Sequence, residues 1–323
     1  MRPLSDTTTR FAPAPTGYLH LGHVANAIYV WGMARAAGGR VLLRLEDHDR
    51  QRCRPEYEAA LLQDIEWLGF TPDQPAYAEL REGPSSFRQN DNQAAYESAL
   101  DVLRARYRVY ACECSRRDEA DRTDKADRTA RSDEGETTGE VPYSGRCRDR
   151  GLAPGPGRGV RVAIEPGEET FTDLLLGEQR QDPSRQCGDL LLRDRLGNWT
   201  YQFAVVVDDL RHGVTTVIRG EDLLASTGRQ IRLARMLGRG ELPVFAHHPL
   251  ILKPSGDKLS KANRDTAVRE LRASGLSAAE VIGRAALAVG LIREFRAVDA
   301  SEVGGLFSRL PLLDRLLQQR YLA

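Results

Sequence analysis

Lysine is scarce in this 323-residue chain: there are four, at 125, 253, 258 and 261, so nearly all positive charge sits on arginine. Net charge is missing too. With 46 Lys and Arg against 46 Asp and Glu, no whole-molecule field draws the chain to nucleic acid or membrane, and any polyanion must be met by a local patch. Long apolar runs are absent. None exceeds five residues, as at Phe203 to Val207, where a bilayer span needs ~20. The first twenty residues lack the apolar stretch of a secretory leader, so a cytoplasmic chain without a membrane partner is expected. Five cysteines, three of them at 112, 114 and 147, suit metal ligation in a reducing compartment better than a disulfide framework. No internal repeat is present. What remains is ordinary globular usage, 41% apolar and 28% charged, which excludes collagen-like, coiled-coil and wholly disordered classes. At ~150 residues per domain, the length allows about two domains.

Residues 7–15 lean towards β-structure and run into Pro13, Pro15 and Gly17, after which Val24, Ala27, Ile28, Trp31 and Ala34 recur at helical spacing. Gly38-Gly39 supplies a stop, and Val41 to Leu45 reads as a buried strand ending in Glu46-Asp47. A second helix is expected from Pro55 to Gly69, with Tyr57, Leu61, Ile65 and Leu68 inward. This strand–helix–strand alternation predicts a parallel sheet covered on both faces. Residues 115–142 hold fifteen charged side chains and no aromatic, which predicts a disordered insertion. Short β-like pieces (VRVAI, ETFTDLLL) between Gly159 and Asp182 fit a small module interrupting the main fold. The sheet is expected to resume near Asp189 with LLLRD, a turn at Leu196-Gly197-Asn198, YQFAVVVDD and GVTTVIRG. A helical pattern from Asp222 to Leu237 follows, and the last fifty or so residues read as helical.

Two constellations carry chemistry. His20-Leu21-Gly22-His23 sits where the first strand hands over to the first helix. Helix N-termini favour phosphates, and two histidines three apart share one face and can donate to phosphate oxygens; Gly22 permits close backbone approach. A packing pair or two metal ligands are the alternatives. The second is Lys258-Leu259-Ser260-Lys261, following a turn at Pro254 to Asp257. With Lys253, it places three of the four lysines within nine residues. Lysine is a compact charge on a flexible stem, able to follow a phosphate whose geometry changes. A solvated surface loop is the alternative reading.

Taken in order, Arg10 to Gly17 (RFAPAPTG), His20 to His23 (HLGH), Leu43 to Asp47 (LRLED), the Asp208-Asp209 pair after two valines, VIRGED around Arg219, and Lys258 to Lys261 (KLSK) resemble the catalytic core of class I glutamyl-tRNA synthetases over residues 8–265. Only 62 residues follow Lys261, too few for the large helical anticodon-binding region of the full enzymes. The outline therefore resembles the shorter glutamyl-queuosine tRNA(Asp) synthetase family. The resemblance implies an α/β fold, a doubly wound parallel sheet of the class I synthetase (Rossmann-like) kind. Its halves would lie at 1–105 and 189–265, with an inserted module at 106–188 and a helical region at 266–323.

The same resemblance implies ligase chemistry: L-glutamate is activated by ATP with Mg²⁺ to glutamyl-adenylate, then transferred to the queuosine base of tRNA(Asp) by a monomer. His20, Gly22, His23 and Lys261 would bind ATP, with His20, His23, Lys258 and Lys261 catalytic. Arg10, Phe11, Ala12, Pro13, Ala14, Glu46, Tyr201 and Arg219 would line the glutamate pocket, Glu46 meeting the ammonium and an arginine rewarding the side-chain carboxylate. Cys112, Cys114, Tyr143 and Cys147 would hold one structural Zn²⁺ per chain, across an unusually long spacer. Cys53 and Cys187 are left as packing residues. Asp208-Asp209 and Glu221-Asp222 are Mg²⁺ ligands or helix caps, with caps favoured for the second pair. The alternatives are a truncated enzyme charging the 3′ end of tRNA(Glu), and a non-catalytic RNA-binding paralogue.

Overall fold

The structure is a computed structural model that describes residues 7–115, 142–251 and 267–308. Lys253, Lys258, Lys261 and nearly all of the charged 115–142 segment lie outside the described residues. Strand β1 (Thr8–Phe11) pairs in parallel with β2 (Arg40–Leu43) through helix α1 (Leu21–Ala36), the strand–helix–strand unit anticipated. Helix α1 is buried along most of its length, from Val24 through Ala34, because strands lie on one side and C-terminal helices on the other. Its end is set by Gly38 at φ 64, the left-handed position glycine adopts without strain. Helix α2 (Pro55–Trp67) starts on a proline and is followed by Gly69 at φ 84.

Strands β3 (Val109–Cys112), β4 (Gly159–Val162) and β7 (Leu190–Arg193) form an antiparallel sheet in the order β3-β4-β7. Strands β5 (Glu169–Asp173), β6 (Gly177–Gln181), β8 (Thr216–Gly220) and β9 (Val244–His248) form a mixed sheet in the order β6-β5-β9-β8, parallel at β5/β9 and β8/β9. Strand β1 lies beside β8, where the Thr215 N–H donates to Thr8 O at 2.8 Å. Helices α3 (Tyr77–Glu82), α4 (Gln93–Arg106) and α5 (Pro183–Gln186) join these pieces. Helix α7 (Thr227–Met236) follows a 3₁₀ segment at Glu221–Ser226, close to the 222–237 helix anticipated; Glu221 and Asp222 lie in the first turn of that segment and neither caps it, since its N-cap is Gly220. Among the described C-terminal residues, α8 (Val268–Ala273), α9 (Ala278–Ala288) and a 3₁₀ segment at Ala300–Leu306 keep the helical character expected.

Three expectations change. YQFAVVVDD is not a strand but helix α6 (Tyr201–Arg211). Phe203 through Asp209 are all buried there, so no polar stripe marks the helical period, and the β-branched Val205-Val206-Val207 run imitates a strand. LLLRD does not reopen the main sheet; as β7 it pairs with β4. ETFTDLLL, assigned to the interrupting module, supplies β5 beside β9. Local pattern identifies a strand but carries no information on its partner.

The main core packs α1 against β1, β2 and α2 through Phe11, Ile28, Trp31, Leu43, Leu61 and Ile65. A second cluster joins α4, β7 and α6 through Tyr96, Leu100, Leu192, Trp199 and Phe203. Among the described residues, no helix is long and apolar enough to cross a membrane.

Asp64 on α2 is buried with its Oδ2 unpartnered. Burial lifts its carboxyl to about 6, against the opposing pull of Arg272 and Arg269. A folded-state value above the unfolded one favours the protonated native form, so this contribution is lost as pH rises from ~4 through ~6. Asp64→Asn should therefore stabilise the protein by roughly 2–3 kcal/mol more at pH 8 than at pH 4, measured by urea unfolding at both values; an equal effect at the two pH values would contradict this assignment.

Candidate active site

Helix α1 begins on an imidazole. His20 is its N-cap, with Nδ1 accepting the Gly22 N–H at 3.1 Å, and His23 Nδ1 accepts the His20 N–H at 3.2 Å. With both Nδ1 atoms accepting, both ring protons sit on Nε2. The rings lie 4.1 Å apart. Gly22 has a role beyond close approach: a Cβ there would come within 2.9 Å of His20 Cε1, so a side chain would displace the capping ring. The described residues flanking the lysine segment reach this corner. Ala267 bridges to His20, the Val268 N–H donates to Leu19 O at 2.8 Å, and His248 Nε2 lies 3.1 Å from Asn26 Oδ1.

Beside this helix start lies a buried ionic cluster. Arg44 donates from Nη1 to Asp209 Oδ1 at 2.7 Å and from Nη2 to Glu46 Oε1 at 2.9 Å. Arg10 donates from Nε to the same Asp209 oxygen at 3.1 Å and from Nη1 to Ile218 O at 3.3 Å. Burial raises the Asp209 carboxyl, but Arg10 and Arg44 outweigh it and hold it below the ordinary range. Asp208 accepts from Tyr96 OH at 2.9 Å, Gln89 Nε2 at 2.8 Å and Arg211 Nε at 2.9 Å. Both carboxylates are thus committed to protein donors and do not present themselves as metal ligands. Tyr201, at the start of α6, interacts with Glu46, Arg219 and Arg10; burial and the Glu46 charge raise its phenol.

Arg219, near the end of β8, is buried and held on three nitrogens. Nε donates to His247 Nε2 at 2.9 Å, Nη1 to Gln230 Oε1 at 2.7 Å and Nη2 to Thr227 Oγ1 at 2.8 Å. The structure therefore brings Arg10, Glu46, Tyr201 and Arg219 together at the carboxyl ends of β1, β2 and β8, the edge at which parallel sheets take ligands. The Glu46 N–H donates to Pro13 O at 3.2 Å, which lays the Ala12-Pro13-Ala14 segment against Glu46. Phe11 faces elsewhere: it is fully buried, 5.3 Å from Trp31 in the core. Lys258 and Lys261 lie outside the described residues. Sequence reasoning missed Arg44, Asp173, Thr227, Gln230 and His247. Only Arg44 left a signal, as a lone arginine inside an apolar strand, where a charge must be paired.

The thiols form a second site. The Sγ atoms of Cys112, Cys114 and Cys147 all lie within 4.8 Å of one another, with Cys114 to Cys147 at 3.6 Å. Tyr143 OH is 3.5 Å from Cys112 Sγ and accepts the Cys147 N–H at 2.8 Å. A tetrahedral ion with metal–sulfur bonds of ~2.3 Å and a metal–oxygen bond of ~2.0 Å implies edges of roughly 3.8 and 3.5 Å, so this donor set fits one. Burial raises Cys114 and Tyr143. For Cys147 burial opposes, yet hydrogen bonding from the Glu113 backbone and its neighbours draws it down to about 7. Cys187 is buried with Sγ 3.1 Å from Pro183 O, and Cys53 is half-buried.

A cavity of about 730 Å³ lies next to the thiol cluster, sharing Tyr110 and Leu152 with its surroundings, between the end of α4, β3, β4 and the Asp194–Asn198 turn. Six arginines line it, Arg104, Arg108, Arg148, Arg158, Arg193 and Arg195, with no carboxylate among its walls. Four of them pair with Asp101, Asp149, Asp189 and Glu97, whereas Arg158 and Arg195 donate to the carbonyls of Ala153 and Gly157.

The strands and helices define an α/β protein whose first helix is capped by an imidazole, and the comparisons with known proteins place it in a family. Residues 6–296 match the family described as tRNA synthetases class I (E and Q), catalytic domain, and the chain belongs to that family. It is 40% identical over 288 residues to a glutamyl-Q tRNA(Asp) synthetase of Rhodobacter capsulatus, covering 84% of this chain and 97% of the relative. It is 39% identical to the one of Symbiobacterium thermophilum, covering 94% and 93%. Among solved structures, a glutamate tRNA ligase of Elizabethkingia meningosepticum in complex with its amino acid superposes with a TM-score of 0.73 at 26% identity, over 96% of this chain and 65% of that one.

Removing one member of the buried cluster strands the rest. Asp208→Ala should cost about 3–5 kcal/mol of folding stability, read as a fall in the urea midpoint; a loss under ~1 kcal/mol, typical of exposed pairs, would refute the cluster's structural role.

Proposed function

We propose that the chain activates L-glutamate with ATP and transfers the glutamyl group to the queuosine base of tRNA(Asp). The observation that carries this reading is the likeness to glutamyl-Q tRNA(Asp) synthetases over nearly their whole length, joined to a carboxyl-edge group of Glu46, Tyr201, Arg10 and Arg219 that suits an ammonium and a carboxylate. In the first step a glutamate α-carboxylate oxygen attacks the α-phosphorus of ATP and pyrophosphate leaves. In the second a queuosine hydroxyl attacks the activated carbonyl and AMP leaves. Neither step requires a side-chain nucleophile, so positioning and charge stabilisation supply the rate.

The Nε2–H groups of His20 and His23 suit donation to phosphate oxygens at the positive end of α1, with Gly22 keeping the cap intact. Lys258 and Lys261 neutralise the phosphate as it becomes five-coordinate. Arg219, with Arg10 and Tyr201 beside it, reads the substrate's side-chain carboxylate. Mg²⁺ accompanies ATP, where it screens phosphate charge; Asp208 and Asp209, tied to protein donors, are poor ligands for it. Zn²⁺ would be held by Cys112, Cys114, Tyr143 and Cys147 in a closed, structural set that ties the two ends of the charged segment together.

Glutamate and ATP should give adenylate without RNA, and transfer should occur to queuosine-containing tRNA(Asp) but not to its unmodified form. Charging of the 3′ end of tRNA(Glu) instead would establish the alternative synthetase activity, and no adenylate at all would leave a non-catalytic RNA binder. Lys261→Ala should lower kcat by more than it raises the KM for ATP; equal losses would remove Lys261 from the transition state.

RNA needs a local cationic surface in a chain of zero net charge, and the arginine-lined cavity provides one. Reversing Arg158 and Arg195 to glutamate should weaken transfer to RNA, flatten its salt dependence and leave RNA-free adenylate formation unchanged. Unaltered transfer by the double variant would exclude this cavity from RNA contact.

A further inference from the structure

We propose that Asp173 and His247 are positioning residues that lock Arg219 for its substrate carboxylate by fixing the tautomer of the imidazole between them; this rests on the assignment of Arg219 to glutamate recognition. Asp173, at the end of β5, is buried and fully committed. Its Oδ1 accepts three backbone N–H groups, from Leu175 at 3.0 Å, Leu176 at 3.1 Å and His247 at 3.2 Å. Its Oδ2 lies 2.6 Å from His247 Nδ1. An acceptor so placed puts the ring proton on Nδ1, which leaves Nε2 as a lone pair. That lone pair is what Arg219 Nε–H requires at 2.9 Å, because a protonated Nε2 would confront another donor.

The remaining contacts complete the clamp. Thr227 Oγ1 takes Nη2 and lies 3.2 Å from His247 Nε2, while Gln230 Oε1 takes Nη1 and is itself steadied by its Nε2 donating to Gln202 Oε1 at 2.7 Å. A guanidinium has five N–H donors. With Nε and one hydrogen of each terminal nitrogen assigned, one hydrogen remains on each terminal nitrogen for Tyr201 and the ligand. Arginine held this way is pre-oriented, so binding a carboxylate costs little side-chain entropy. Burial lowers the His247 pKa and Asp173 opposes it, which keeps the ring neutral above the acid range.

The proposal makes Asp173→Asn a polarity switch. The three backbone donors demand an oxygen, so the amide NH₂ must face His247 Nδ1 and donate to it. The ring proton then moves to Nε2 and opposes Arg219. Selective ¹⁵N-histidine NMR should show His247 protonated on Nδ1 in the wild type and on Nε2 in Asp173→Asn. In RNA-free pyrophosphate exchange, the glutamate KM should rise roughly tenfold to a hundredfold, the worth of a hydrogen bond to a charged group, with the ATP KM unchanged. His247→Gln, whose Oε1 can still accept from Arg219, should retain much of the glutamate affinity that His247→Leu loses, should Asp173→Asn fail to fold. An unswitched tautomer, an unchanged glutamate KM, parallel loss of both KM values, or equal impairment by Gln and Leu would overturn the relay. The nitrogen spectrum needs no substrate. A wild-type enzyme indifferent to glutamate would therefore sink the substrate assignment and leave the relay to be decided by the tautomer alone.

Discussion

Arg44 is the hinge of the architecture. A guanidinium with 1% of its side chain exposed survives in a protein interior only if its charge and donors are answered. Its charge is answered by Asp209 and Glu46, with Asp208 Oδ2 3.9 Å from its unbonded Nε, and Asp209 is answered in turn by Arg10. These residues come from β1, the residues following β2, and α6, so one ionic cluster fixes three elements that share no local sequence. A buried pair of this kind contributes little net stability compared with an apolar replacement. Its value is geometric: it sets where Glu46 and Arg10 stand relative to one another, because Arg44 and Asp209 tie both into one network.

What the sequence reveals and what it hides divide along the same line. The helix start at HLGH is legible because its signals lie within a few residues, although the spacing does not show that His20 and His23 themselves cap it. The grouping of Cys112, Cys114 and Cys147 is legible in the cysteine positions, whereas Tyr143 enters only through the family resemblance. Helix α6 is not legible, because burial on all sides erases the amphipathic stripe and leaves only a valine run. The partners of β5 and β7 are hidden as well. Pairing is decided by Asp173 meeting Phe245 and by Val162 meeting Leu190, contacts between residues 28 to 72 positions apart. Arg219 was found by resemblance, yet the residues that orient it come from β5, α7 and β9 and form no motif in one dimension.

The two unlike sites follow from two kinds of rigidity. At the carboxyl edge, charge networks with several partners per group leave no slack, and pre-organisation of that sort suits recognition of a small amino acid carrying one ammonium and two carboxylates. In the β3-β4-β7 region, rigidity rests on a compact donor set, Arg161 stacked 3.7 Å over Tyr143 and the bidentate Arg148–Asp189 pair. There the arginines are arranged around a cavity instead of being sunk beneath a pocket. A surface that meets a large polyanion needs charge facing outward, whereas a pocket that meets a small ligand needs charge held in place.

The chain's near-exclusive use of arginine sharpens this contrast. Arg10, Arg44, Arg148 and Arg219 each spend two or more nitrogens on fixed acceptors, a task for which the planar fork is suited and an ammonium is not. Phosphoryl chemistry imposes the opposite demand, since the equatorial oxygens move as the phosphorus passes through five-coordination, and a rigid fork matched to one arrangement would mismatch the next. A point charge on a four-carbon stem follows that movement. Three of four lysines fall between 253 and 261, and the described residues on either side of that stretch pack beside His20 and Asn26. The proposed division of labour between the two cations, arginine for groups held still and lysine for the reacting phosphate, thus matches their distribution along the chain.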